Sequence, residues 1–151
     1  MLDIDADTLH ALGITHLVFD LDNTLVHRGV NALKEEYSAR LALMKQQGFT
    51  VLIGTNSRRD VQAIRRALDV PVIQPTKLSY KPRRSFYQRV ISATKTSPNH
   101  IAMIGDHFIN DVMGGNRAGL TTILVDTPHL TPSPIKRRYV RRLVRRHVEE
   151  D

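Results

Sequence analysis

The stretch "HLVFDLDNTLV", His16 to Val26, carries an apolar run, Leu17-Val18-Phe19, that ends in Asp20 and is followed by Leu21 and Asp22. The run reads as a buried strand, and no Lys or Arg follows the two carboxylates until Arg28. An unpaired buried carboxylate is costly, and two close together repel each other. Whatever neutralises this pair must arrive from elsewhere in the chain or from solution.

Four further apolar runs have the same character: "FTVLIG" near 49–54, "VPVIQ" near 70–74, "HIAMIG" near 100–105 and "TTILVD" near 121–126. They are rich in Val and Ile and mostly non-alternating, as expected of strands covered on both faces. Helical patterns lie between them. Leu33, Tyr37, Leu41 and Met44 mark one helix, opened by Asn31 and closed by Gly48. Val61, Ile64 and Leu68 mark a second, starting at a capping-box-like Ser57…Asp60. Pro82 suits the first turn of a third, carrying Phe86 and Val90. Ile109 to Ala118 makes a fourth, stopped by Gly119. Strand alternating with helix over short connections predicts an α/β fold: a Rossmann-like, doubly wound, five-stranded parallel sheet with right-handed crossovers.

In such sheets ligands bind at the carboxyl ends of the strands. Strand one delivers Asp20 and Asp22 there, strand two Thr55, Asn56 and Ser57, the segment after strand three Lys77 and Lys81, and strand four Asp106, with Asp111 five residues on. Any one of these polar residues could be a turn or a helix cap; as a set they describe a site. Converging aspartates without thiols or clustered His favour a hard cation with oxygen ligands, Mg²⁺ first. A hydroxyl, main-chain N–H groups and a lysine favour a phosphate. Together they point to phosphoryl transfer. No Gly-rich Walker loop is present.

These residues resemble the haloacid dehalogenase (HAD) superfamily of phosphohydrolases over roughly residues 14–126. The first motif, D-x-D-x-T, is "DLDNTL"; the second, an apolar strand ending in Thr or Ser, is "VLIGTN"; the third, a lysine before Pro, is "SYKP"; the fourth is "GDHFIND". The set is most similar to the class III subgroup that includes YqeG-like proteins and the mitochondrial phosphatidylglycerophosphate phosphatase. The resemblance implies Asp20 as the nucleophile that forms an aspartyl-phosphate and Asp22 as general acid, then base. It implies Thr55, Asn56 and Lys81 against the phosphoryl group. Mg²⁺ would be held by Asp20, the main-chain carbonyl of Asp22, and Asp106. Asp111 would support the metal directly, through water or through Lys81. Lys81 is preferred to Lys77 for the third motif because Pro82 follows it. His107 reads as a surface imidazole, and Gly114-Gly115 as a site of close helix–sheet packing.

Superfamily members commonly carry a cap domain between the first and second or the second and third motifs. Here about 28 residues separate Asp22 from the second motif, and about 25 separate Thr55 from Lys81. Neither gap holds a cap, so the site is expected to be open.

Residues 1–127 are assigned to the HAD-like domain. Pro128, Pro132 and Pro134 mark a linker, and residues up to 151 carry a basic tail. Lys136 to His147 holds seven Lys/Arg and no acid, which accounts for the whole net charge of +7. Its apolar residues recur at helical spacing, giving a basic amphipathic helix. Three readings stand: a helix docked on its own domain, an anchor on an anionic membrane, or a nucleic-acid contact. Aromatics are only 5% with no Trp, so no stacking platform favours the third.

With no cysteine, disulfides and thiolate chemistry are excluded. No apolar run reaches the roughly 18 residues a membrane span requires, and the acidic start is no signal peptide. The expected protein is cytoplasmic and peripheral on the inner membrane face, with an anionic phospholipid, phosphatidylglycerophosphate, as substrate. The alternatives are a phosphatase for a small soluble or nucleic-acid-end phosphate, and an RNA- or ribosome-associated binding protein on the same fold.

Overall fold

A computed structural model describes residues 4–125. The five expected strands form β1 (His16–Phe19), β2 (Thr50–Gly54), β3 (Val72–Ile73), β4 (Ile101–Gly105) and β5 (Thr121–Leu124). All pair in parallel, in the order β3-β2-β1-β4-β5. The order reverses at β1, which sits between β2 and β4. A crevice therefore opens above the carboxyl ends of β1 and β4, at the topological switch point.

Side chains alternate across the sheet, and both faces are covered. Leu17, Phe19, Val51, Ile53, Ala102 and Ile104 join one core. That core is closed by α1 (Ala6–Ala11), α2 (Glu35–Gln46) and α3 (Gln62–Leu68) through Leu9, Leu41, Met44, Ile64 and Leu68. Val18, Leu52, Ile101 and Met103 face the other way, against Phe86, Tyr87 and Val90 of α4 (Arg84–Thr94). Strands buried on both faces cannot show the period-two polarity of a half-exposed sheet, which explains the continuous apolar runs.

Helix starts differ from expectation for identifiable reasons. Asn31 does not open α2, because its amide is bonded to the Asp60 carbonyl and the Arg59 guanidinium. The helix begins at Glu35, and Glu35 and Glu36 complement its positive end. Ser57 does not cap α3; its hydroxyl accepts from the main chain and side chain of Arg59. Asp60 instead accepts from the Gln62 N–H at 2.9 Å. Pro82 lies in a turn ahead of α4, following a cis Lys81–Pro82 peptide. The fourth helix opens as a π-helical turn, Phe108–Met113, and continues as α5 (Gly114–Arg117). Helix α1, capped by Asp5, adds an element that apolar periodicity did not reveal.

Gly114 and Gly115 do allow close packing. A Cβ on Gly114 would lie 2.6 Å from the Tyr87 ring, and one on Gly115 2.7 Å from Thr122 of β5. The linker and basic tail lie outside the described residues.

Candidate active site

The main chain leaves β1 through a tight turn. The Leu21 carbonyl accepts from the N–H groups of Thr24, Leu25 and Val26. Asn23 takes the left-handed conformation (φ 61°) that Asn tolerates better than most residues. Asp20 hydrogen-bonds through its N–H to Ile104 of β4 and is buried. Asp22, two residues on, keeps partial access to solvent.

Asp20, Asp106 and Asp111 converge, each with one carboxylate oxygen within 4.8 Å of the others. Lys81 enters from the far side of the crevice. Its Nζ donates to Asp20 Oδ1 at 2.7 Å and to Asp111 Oδ1 at 2.6 Å. Three carboxylates and one ammonium sum to a formal charge of −2 when all are ionised. Burial pushes the Asp20 pKa up to about 7; Lys81 opposes the shift, while Asp111 and Asp106 add to it. Burial also works against the Lys81 charge, but the two carboxylates more than offset it and raise that pKa. An all-oxygen donor set carrying surplus negative charge suits a divalent hard cation.

The local sequence explains how these groups are held. Asp111 is fully buried because the π-helical turn carries it inward under β4. Its Oδ2 accepts from the His107 N–H at 3.0 Å. Gly105 makes room for it, since a Cβ there would lie 2.2 Å from Asp111 Oδ2. Gly105→Ala is expected to displace that carboxylate and lower divalent-cation affinity about 10- to 100-fold, read by titration calorimetry. The Tyr87 hydroxyl donates to the Asn110 carbonyl and braces the turn from α4.

Asn56 holds Lys81. Its Oδ1 accepts from the Lys81 N–H at 2.8 Å, and its Nδ2 donates to the Lys81 carbonyl at 2.9 Å. Its amide thus joins the end of β2 to the lysine segment and braces Lys81. Thr55 is buried; its Oγ1 accepts from the Ser57 N–H at 3.0 Å, leaving its own O–H free to donate elsewhere. Lys77 is exposed in the loop before Lys81, outside the cluster. The His107 Nδ1 accepts from the Asn110 N–H at the start of the π-helical turn.

The Asp22 side chain is not part of the acidic cluster. It points to Arg59, whose Nη1 donates to Oδ1 at 2.7 Å and to Oδ2 at 2.9 Å. The Gly29 N–H adds a bond to Oδ1 at 3.2 Å. Sequence reasoning missed Arg59. The one available signal was its place on the loop that carries Thr55, four residues further on.

Residues 80–146 match the HAD-hydrolase-like family model. The "Probable phosphatase YqeG" of Bacillus subtilis is 29% identical over 123 residues, covering 81% of this chain and 70% of that one. The chain is similar in sequence to HAD-type phosphatases.

Solved HAD folds superpose well. A 4-nitrophenylphosphatase from Thermotoga maritima aligns with TM-score 0.65 at 15% identity, covering 83% of this chain and 91% of that one. The HAD-hydrolase YfnB from Bacillus subtilis, solved bound to magnesium, aligns with TM-score 0.57 at 15% identity, covering 80% and 90% respectively. The chain thus shares the α/β fold of these HAD proteins, with an open sheet. No helix among the described residues is long and apolar enough to cross a membrane.

Proposed function

We propose that this HAD phosphatase is a Mg²⁺-dependent phosphomonoesterase that works through an aspartyl-phosphate on Asp20. The observation that carries the reading is the convergence of Asp20, Asp106, Asp111 and Lys81 at the switch point of the sheet. Asp20, Asp106 and the main-chain carbonyl of Asp22 would hold the metal, with Asp111 behind them. When bound, the metal supplies positive charge beside the transferring phosphoryl group.

Asp20 attacks phosphorus, and the bond to the leaving oxygen breaks. Asp22 gives that oxygen a proton. Asp22 then takes a proton from the water that attacks phosphorus, releasing inorganic phosphate and restoring Asp20. Thr55 donates its hydroxyl to a phosphoryl oxygen, and Lys81 balances charge developing there. Asn56 keeps Lys81 in reach.

Metal binding has a readout independent of turnover. In metal-free protein Asp20 holds its proton up to about pH 7, whereas an unfolded aspartate loses it near its ordinary value of 3.8. Between those values the folded state binds the extra proton, so stability falls as pH rises. The cost of the ionised form is fully present above about pH 7 and is relieved as pH falls. A bound cation favours the ionised form. Mg²⁺ is therefore expected to raise Tm more at about pH 8 than at about pH 5, measured by calorimetry. An equal shift at both would contradict the site.

For the substrate we propose a lipid phosphomonoester, phosphatidylglycerophosphate. The connection from β1 to β2 holds only α2, and that from β2 to β3 only α3, so among the described residues neither connection carries a folded unit over the crevice. The segments after β1, β3 and β4 carry exposed apolar residues at Val30, Leu78 and, in the π-helical turn, Ile109. Exposed Arg28 and Lys77 stand within two residues of Val30 and Leu78, and Arg58, Arg83 and Arg84 are exposed on the segments that follow β2 and β3. Apolar tips in a cationic rim suit an anionic bilayer. The basic tail from Lys136 adds to the same reading.

The test is Mg²⁺-dependent phosphate release from phosphatidylglycerophosphate vesicles, soluble sugar phosphates and phosphorylated oligonucleotides. Vesicles are expected to be hydrolysed fastest. Equal or faster release from either soluble class would overturn the lipid assignment and leave the chemistry standing.

A further inference from the structure

Two carboxylates two residues apart have separate cations. Asp20 is paired with Lys81 inside the acidic cluster, and Asp22 with Arg59 at its half-exposed edge. The Arg59 pairing is not a loose surface contact. Besides the two bonds to Asp22, the guanidinium donates to Asn31 Oδ1 at 2.7 Å, Ser57 Oγ at 2.9 Å and the Val30 carbonyl at 3.1 Å. Asn31 in turn donates to the Asp60 carbonyl at 2.9 Å. One planar fork thus joins the loop after β1, the loop after β2 and the Asp22 carboxylate. Lysine has no such fork. Among the described residues, the bond besides those of Arg59 that fixes the Asp22 carboxylate is that from the Gly29 N–H.

We propose that Arg59 is a positioning residue that holds the Asp22 carboxylate where it meets the leaving-group oxygen. The inference rests on the reading of Asp22 as general acid. Proton transfer requires the carboxyl within hydrogen-bond reach of that oxygen. A side chain free to rotate away loses that reach while the nucleophile, Lys81 and metal ligands stay intact. Arg59 touches none of those groups, so its loss acts through the proton transfers of Asp22, the first of which is protonation of the departing oxygen.

The test compares kcat/KM, which reports the step up to phosphoryl transfer, for 4-nitrophenyl phosphate and an alkyl phosphate such as glycerol phosphate. The nitrophenolate leaves without help; the alkoxide does not. Arg59→Ala is expected to lower kcat/KM for the alkyl ester about 100-fold and for the nitrophenyl ester only a few-fold. Arg59→Lys should fall between. Asp22→Asn should show the same leaving-group dependence, and Arg59→Ala added to it should cost little more, because the two act as a unit.

Equal losses on both esters, with Asp22→Asn still discriminating, would make Arg59 a plain loop brace and overturn the inference alone. If Asp22→Asn itself failed to discriminate, the general-acid assignment would fall. Should Arg59→Ala not fold, shown by loss of a cooperative melt, the Arg59→Lys ratio of the two esters decides: an unchanged ratio contradicts the proposal.

Discussion

Asp20→Asn is expected to lower phosphate release at least about a thousandfold on every substrate, because it removes the attacking oxygen. The same variant is expected to melt no lower than the parent in metal-free buffer at about pH 8. Asp20 is buried and its pKa is raised to about 7, so its ionised form opposes folding there. An amide removes that burden, and Lys81 keeps Asp111 as its partner. The stabilisation by Mg²⁺ should shrink with it, since a carboxylate ligand is gone. A variant that lost activity merely by unfolding would show the opposite thermal signature.

Lys81→Met is the complementary case, with activity and stability moving together. Lys81 is almost wholly buried, and its ammonium touches both Asp20 and Asp111. Its removal leaves two carboxylates without their cation in a low-dielectric site. Breaking a buried pair in this way costs about 3–5 kcal/mol. The loss should be largest above about pH 7, where Asp20 is ionised, and smaller at acid pH, where protonation relieves the repulsion. Activity should fall about 100- to 1,000-fold, the range for removing one group that stabilises developing charge. Urea melts at two pH values and a turnover assay measure both effects.

Much of this was legible in the sequence because each chemical group stands at the end of an apolar run. Asp20, Thr55 and Asp106 follow β1, β2 and β4 directly, so strand alignment alone brings them to one edge. Lys81 was chosen over Lys77 by the following proline, and the cluster contains Lys81. That proline shapes the turn ahead of α4 rather than the first helical turn. Local signals were weaker where side chains had distant partners. Ser57 and Asn31 look like helix caps until Arg59, on the same loop as Ser57 but 28 positions from Asn31, draws both into its own hydrogen bonds.

Arg59 itself was invisible for the same reason. An Arg-Arg pair at a helix start reads as solvated charge, while the carboxylate it holds lies 37 positions earlier. The π-helical turn also has no apolar signature. It follows from Asp111 being drawn inward to Lys81 and the His107 N–H, into space that Gly105 leaves open.

The central claim is that Asp20 is phosphorylated during turnover. Acid quenching of the enzyme with substrate and Mg²⁺, followed by borohydride reduction, converts an acyl phosphate to the corresponding alcohol. Peptide mass analysis should then find homoserine in place of aspartate at position 20, only when substrate and Mg²⁺ are both present. Unmodified Asp20 under conditions of active turnover, or reduction at Asp22, Asp106 or Asp111 instead, would contradict the account.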